Sequence, residues 1–132
     1  MQKLIYIKTS KRCELVDITE YVKSVVKISG VAEGIVNVYV QGATAGIMIQ
    51  ENRDYSVQED VLELLKRLIP EGIWKHDRQD GNGDSHLKAG LIGPSENIPV
   101  INGKLGLSTW QNIFLCEFDG PRNKRQVVIT IR

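Results

Sequence analysis

Gly34-Ile35-Val36-Asn37-Val38-Tyr39-Val40 decides the fold, because β-branched residues crowd it and alternate with others. That content and period define a strand with two distinct faces. Small residues interrupt it at Gly42-Ala43-Thr44-Ala45-Gly46, and Ile47-Met48-Ile49 resumes the extended pattern. A helix must follow. Ser56 with Glu59 three residues on reads as a capping box. Val57, Val61, Leu64, Leu65 and Leu68 then recur at helical spacing until Pro70 stops the run.

Working outward, residues 3–8 and 13–17 read as short strands joined by a polar turn. Thr19 reads as the cap of a helix with Val22, Val25 and Val26 on its apolar face, ended by Gly30. Residues 71–85 read as a long polar loop and 86–92 as a short helix. Residues 97–101 and 104–108 flank a tight turn at Asn102-Gly103. Residues 110–118 and 125–132 are strand-like around Asp119-Gly120-Pro121. Elements in this order predict an α+β domain over residues 1–132, with an antiparallel-rich sheet and helices packed on it.

A net charge of +1 supplies no long-range field, so neither nucleic acid nor a membrane surface is expected as a partner. No apolar run reaches membrane-spanning length, and residues 1–8 are too short and polar for a secretory leader. Cys13 and Cys116 lie far apart in apolar surroundings, which predicts reduced core thiols and a cytoplasmic protein.

Both histidines fall in His76-Asp77-Arg78-Gln79-Asp80-Gly81-Asn82-Gly83-Asp84-Ser85-His86. Imidazoles, carboxylates and an amide at that density suit cation binding or acid–base chemistry, and equally a solvated loop. Asp80-x-Asn82-x-Asp84 starts like a calcium loop, but Ser85 stands where glycine is needed and Leu91 where a bidentate glutamate is needed. That reading fails. Gln50-Glu51-Asn52-Arg53-Asp54 and Thr109-Trp110-Gln111 are further polar clusters, and Glu117 interrupts an otherwise apolar strand. No phosphate loop, dinucleotide fingerprint or zinc helix is present.

Ser95-x-x-Ile98-x-Val100-x-x-Gly103-x-x-Gly106-Leu107-Ser108-Thr109-Trp110-Gln111-x-Ile113 resembles the signature of the YjbQ-like family, also called secondary thiamine-phosphate synthases. The likeness extends through Thr44-Ala45-Gly46, Glu51-Asn52, His76, Asn82-x-x-x-His86-Leu87 and Glu117-Phe118-Asp119-Gly120-Pro121-Arg122, so it covers essentially the whole chain. It implies a compact α+β homotrimer with polar clefts near the subunit contacts. It also implies weak transferase activity that joins a pyrimidine pyrophosphate to a thiazole phosphate. The departing pyrophosphate would call for a divalent cation such as magnesium.

On this resemblance His86, Glu51, Glu117 and His76 are the expected catalytic groups. Thr44, Asn52, Asn82, Lys88, Thr109, Gln111 and Arg122 are expected to hold a phosphorylated substrate. Asp84 and Asp54 are expected metal ligands. Gly42 and Asp84 stand where many members carry histidine, which favours a hard ion over zinc or the loss of the activity. The alternative expectation is a non-catalytic trimeric module that binds a small phosphorylated metabolite or anion.

Overall fold

A computed structural model describes residues 1–132. Its strands are β1 (Gln2–Ile7), β2 (Glu14–Asp17), β3 (Gly34–Val40), β4 (Ala45–Gln50), β5 (Ser95–Ile101), β6 (Lys104–Leu105), β7 (Asn112–Glu117) and β8 (Arg125–Ile131). Its helices are α1 (Thr19–Ser29), α2 (Tyr55–Leu68) and α3 (Gly83–Ile92). The strands form two antiparallel sheets, ordered β1-β8-β3-β5-β6 and β2-β7-β4. The α+β expectation therefore holds, with its single sheet divided in two.

Alternation along the strands builds the core. Val36, Val38 and Val40 of β3 meet Val127, Ile129 and Ile131 of β8 and Ile98 and Val100 of β5 on one inner face. Ala45, Ile47, Ile113 and Leu115 of the smaller sheet oppose them, and Val22, Val25 and Val26 of α1 join the same cluster. Each such side chain contributes on the order of 1.5–3 kcal/mol relative to exposure. The smaller sheet is buried on both faces. Phe114, Cys116 and Leu15 point the other way, onto Leu65 of α2 and Ala89 of α3. Gly46 lets α3 approach, since a Cβ there would stand 2.9 Å from the Gly93 carbonyl.

Several boundaries differ from expectation for identifiable reasons. Asp54, not Ser56, caps α2, because its Oδ1 accepts from the Ser56 N–H at 3.0 Å and hydroxyl at 2.7 Å. Thr19 is the first residue of α1 rather than its cap. Its hydroxyl donates to Asp17 and accepts from the Ile113 N–H at 2.9 Å. The loop at 71–85 is more ordered than its composition suggests. Asp77 accepts from the N–H groups of Trp74 at 3.0 Å and Gly83 at 2.8 Å, stapling a 3-10 turn (Lys75–Arg78) to the start of α3. Trp110 lies in a turn and is exposed, so β7 begins two residues later. Leu64 and Leu68 of α2 are exposed too, whereas the periodicity placed them in the core.

Candidate functional site

β7 ends in a buried charge node. Glu117 has no solvent exposure. It accepts from Thr9 Oγ1 at 2.7 Å, Arg125 Nε at 2.9 Å, Arg125 Nη2 and the Asp119 N–H at 3.1 Å. Burial pushes its carboxyl up, but hydrogen bonds from Arg125, Thr9 and Asp119 outweigh that and leave it below the usual range. Arg125 Nη2 also donates to Thr44 Oγ1 at 2.8 Å. Glu117 and Thr44 thus have their oxygens committed to partners inside the chain. Their side-chain oxygens are satisfied within the chain.

Asp84 is equally buried and equally committed. Arg12 grips it through Nη2 at 3.0 Å and Nη1 at 3.2 Å, and Lys88 Nζ stands 2.9 Å from Oδ2. Burial raises the Asp84 carboxyl, and the bonds from Arg12 and Lys88 more than reverse the effect. Arg12 also reaches Glu71 at 3.0 Å, tying the segment after α2 to α3. Lys88, expected to hold phosphate, is spent on Asp84.

The histidine-rich segment forms a third group beside these. His76 and His86 meet edge to face with ring centroids 4.8 Å apart. Asn82 Nδ2 donates to Asp119 Oδ2 at 2.8 Å, and Arg122 donates to the same oxygen at 3.1 Å. His76 Nε2 lies 3.4 Å from Asp80 Oδ2 without hydrogen-bond geometry.

The remaining expected residues lie at the opposite end of the smaller sheet. Ala45 pairs with Glu117 and Gln50 with Asn112, so Glu51 is separated from Glu117 by about 17 Å of strand. Asn52 donates to Asp17 and accepts from Gln58. One chain therefore does not bring Glu51 together with His86 and Glu117. Nor does it assemble the expected metal ligands. Asp54 caps the start of α2, while Asp84 sits beyond its far end, about 21 Å along the helix. With two cations already on Asp84 and no cluster of three potential ligands, the residues of one chain do not fit a bound magnesium ion.

A cleft of about 690 Å³ opens at this second end, between α1, β6 and residues 107–112. Thr109 and Gln111 line it. Sequence reasoning missed the cations beside them. Lys23, Lys27 and Lys104 also line the cleft, and no carboxylate does. Lys23 pairs loosely with exposed Glu20 at 3.5 Å, whereas Lys27 and Lys104 have no ion-pair partner. Val26, Leu105 and Leu107 supply an apolar lining. One signal was available, because Lys23 and Lys27 are a helical turn apart and share a face of α1.

Fold and site define a small two-sheet α+β domain with a lysine-lined cleft set apart from a buried charge node. The chain belongs to the YjbQ-like UPF0047 family, whose model, described as UPF0047 protein YjbQ-like, matches residues 3–132. A UPF0047 protein of Methanocaldococcus jannaschii is 49% identical over 118 residues, covering 89% of this chain and 85% of that protein. YugU of Bacillus subtilis is 40% identical, covering 94% of each. Among solved structures, a YbjQ-like protein of unknown function from Sulfolobus solfataricus is similar with a TM-score of 0.96. It is 40% identical, over 99% of this chain and 95% of its own. A YjbQ/UPF0047 protein of Clostridium acetobutylicum gives 0.93 at 44% identity, over 98% and 99%. No helix of the chain is long and apolar enough to cross a membrane.

Proposed function

We propose that the protein binds a small phosphorylated metabolite in the cleft between α1 and residues 103–112. One observation carries this reading: three lysines converge on a cleft that holds hydroxyl and amide donors and no carboxylate. The ammonium groups, two of them on Lys27 and Lys104 without an ion-pair partner, attract phosphate oxygens, while Thr109 and Gln111 add directional hydrogen bonds. The volume falls in the range of small-molecule sites. Binding without turnover is favoured because Glu117 and Asp84 are already neutralised by cations of the same chain, Arg125 on one and Arg12 with Lys88 on the other.

The test is a thermal-shift series with phosphorylated metabolites. A true ligand at about 100 times its Kd adds about 2.7 kcal/mol to the parent protein. The increment disappears in the Lys27→Ala/Lys104→Ala variant. An undiminished shift in that variant rejects the cleft.

A second reading, the thiamine-phosphate synthase-type transferase, is favoured by the contact of His76 with His86, on the segment whose Asn82 shares Asp119 Oδ2 with Arg122. Under it His86 moves the proton. Product formed from the pyrimidine pyrophosphate and thiazole phosphate by the parent, and not by His86→Ala, supports it. Product from neither removes it.

Assembly as a homotrimer belongs to the same proposal. Leu4, Val128 and Tyr39 form a continuous row across β1, β8 and β3 on the outer face of the larger sheet, with Tyr6, Ile35 and Ile101 exposed around it. Asn37, Asn97 and Thr130 set Ile35 and Ile101 apart from that row, and the apolar row itself suits contact between copies. Light scattering that gives three times the chain mass supports the trimer, and a monomer at micromolar protein contradicts it.

A further inference from the structure

Arg125 opens β8 with only 5% of its surface exposed. Two of its three nitrogens are spent. Nε and Nη2 hold Glu117, and Nη2 also holds Thr44. Nη1 has no acceptor in the chain. It is not sealed either, since His76 Nε2 and Asn82 Oδ1 are the side-chain atoms that are both fully buried and unpartnered.

Nη1 stands against Gly42, where a Cβ would come within 2.8 Å of it. The missing side chain at Gly42 therefore lets this idle cationic donor lie against the backbone of the turn. The same turn, between β3 and β4, carries three more idle donors. The N–H groups of Gly42, Ala43 and Thr44 bond to no acceptor in the chain, whereas the preceding Gln41 N–H meets the Gln126 carbonyl at 2.9 Å. Both ends of this three-residue turn touch the guanidinium, Gly42 at Nη1 and Thr44 at Nη2, so its amides lie beside the arginine. Unpaired backbone N–H groups beside an arginine edge form a concavity suited to an oxyanion.

We infer that the β3–β4 turn and Arg125 Nη1 form a second anion site, at the other end of the molecule from the lysine cleft and independent of it. Its ligand is one small oxyanion group, a carboxylate or a single phosphate, because the turn offers one guanidinium edge and no second free cation. Glu117 balances the Arg125 charge, so the site works through directed hydrogen bonds more than through net charge. Its affinity consequently responds weakly to salt, unlike that of the lysine cleft. Gly42 is the determinant, since a side chain there must displace Nη1 from the turn.

The experiment is a titration of the full-length, nitrogen-15-labelled chain with sodium acetate or inorganic phosphate, each at low and high sodium chloride. The expected result is saturable movement of the Gly42, Ala43 and Thr44 amide signals, with less than about a threefold change in apparent affinity between the two salt levels. Movement with acetate alone assigns a carboxylate, and movement with phosphate alone assigns a phosphate group. In Gly42→Ala the response at residues 42–44 is lost. In Lys27→Ala/Lys104→Ala it persists while any response at residues 108–111 disappears, which separates this site from the cleft. Stationary signals at 42–44 with both anions overturn the inference, and the unsubstituted protein decides that point even if Gly42→Ala fails to fold. A full response in a folded Gly42→Ala overturns it as well.

Discussion

Replacing Glu117 by glutamine isolates the buried charge node with the smallest change of shape. Glutamine keeps one acceptor for Thr9 or Arg125, but it leaves the Arg125 guanidinium at 5% exposure without a counter-charge. Removing one partner of a buried ion pair costs about 3–5 kcal/mol. For a chain of this length, about 3–5 °C of melting temperature accompanies each kcal/mol, so Tm falls by about 9–25 °C. Glu117→Leu combined with Arg125→Met removes both charges together and recovers most of the loss, because a well-packed apolar pair is often as stable as the ion pair it replaces. Calorimetric melts of the parent, both single variants and the double variant close the cycle, and urea slopes check that the unfolded reference is unchanged. A Glu117→Gln protein that melts within about 3 °C of the parent refutes the reasoning. Glu117 would then be free for the proton chemistry that its place in the sequence suggested.

Acid should unfold the chain through the same groups. Glu117 and Asp84 are held below their ordinary ranges. The unfolded chain therefore takes up protons before the folded one, and stability is lost as pH falls below about 4–5 and is insensitive to these groups above about 6. Urea midpoints that rise on acidification contradict this. Cys116 is buried with its thiol pushed up to about 12, so native protein should leave it unmodified by a thiol reagent at neutral pH and urea should expose it. Mass spectrometry of the labelled chain reads the outcome. Gly46→Ala forces a Cβ into the Gly93 carbonyl and Ile92, and should cost about 1–3 kcal/mol. Gly90→Ala on the open face of α3 meets nothing within 4 Å and should instead add about 0.4–1 kcal/mol, by the same denaturation measurement.

Local patterns were legible in the sequence, and partnerships across the fold were not. The alternation at residues 34–40, the apolar stripe of α1 and the Asn102-Gly103 turn are written in neighbouring residues, and each appears where expected. Division of the strands into two sheets depends on pairing at long range, β1 with β8 and β2 with β7, which no local period encodes. Leu64 and Leu68 show the limit of periodicity, since only one edge of the α2 stripe meets the smaller sheet.

Polar residues divide the same way. Thr109 and Gln111 were found through a motif and do line a cleft, but Lys23, Lys27 and Lys104 look like ordinary solvated lysines until α1 and β6 converge. Glu117 was conspicuous as an acid in an apolar strand. Its neutraliser, Arg125, was not, because it is eight positions away across a turn. Asp84 looked like a metal ligand for the same reason, with Arg12 separated from it by 72 positions.

Calorimetric titration of the parent with inorganic pyrophosphate at low ionic strength, beside the Lys23→Ala/Lys27→Ala/Lys104→Ala variant, tests the cleft most directly. Saturable binding by the parent, weakened at least about tenfold in the variant, is the result expected of cleft ammonium groups that hold phosphate. Equal affinity in the two proteins, or no heat from the parent, contradicts it.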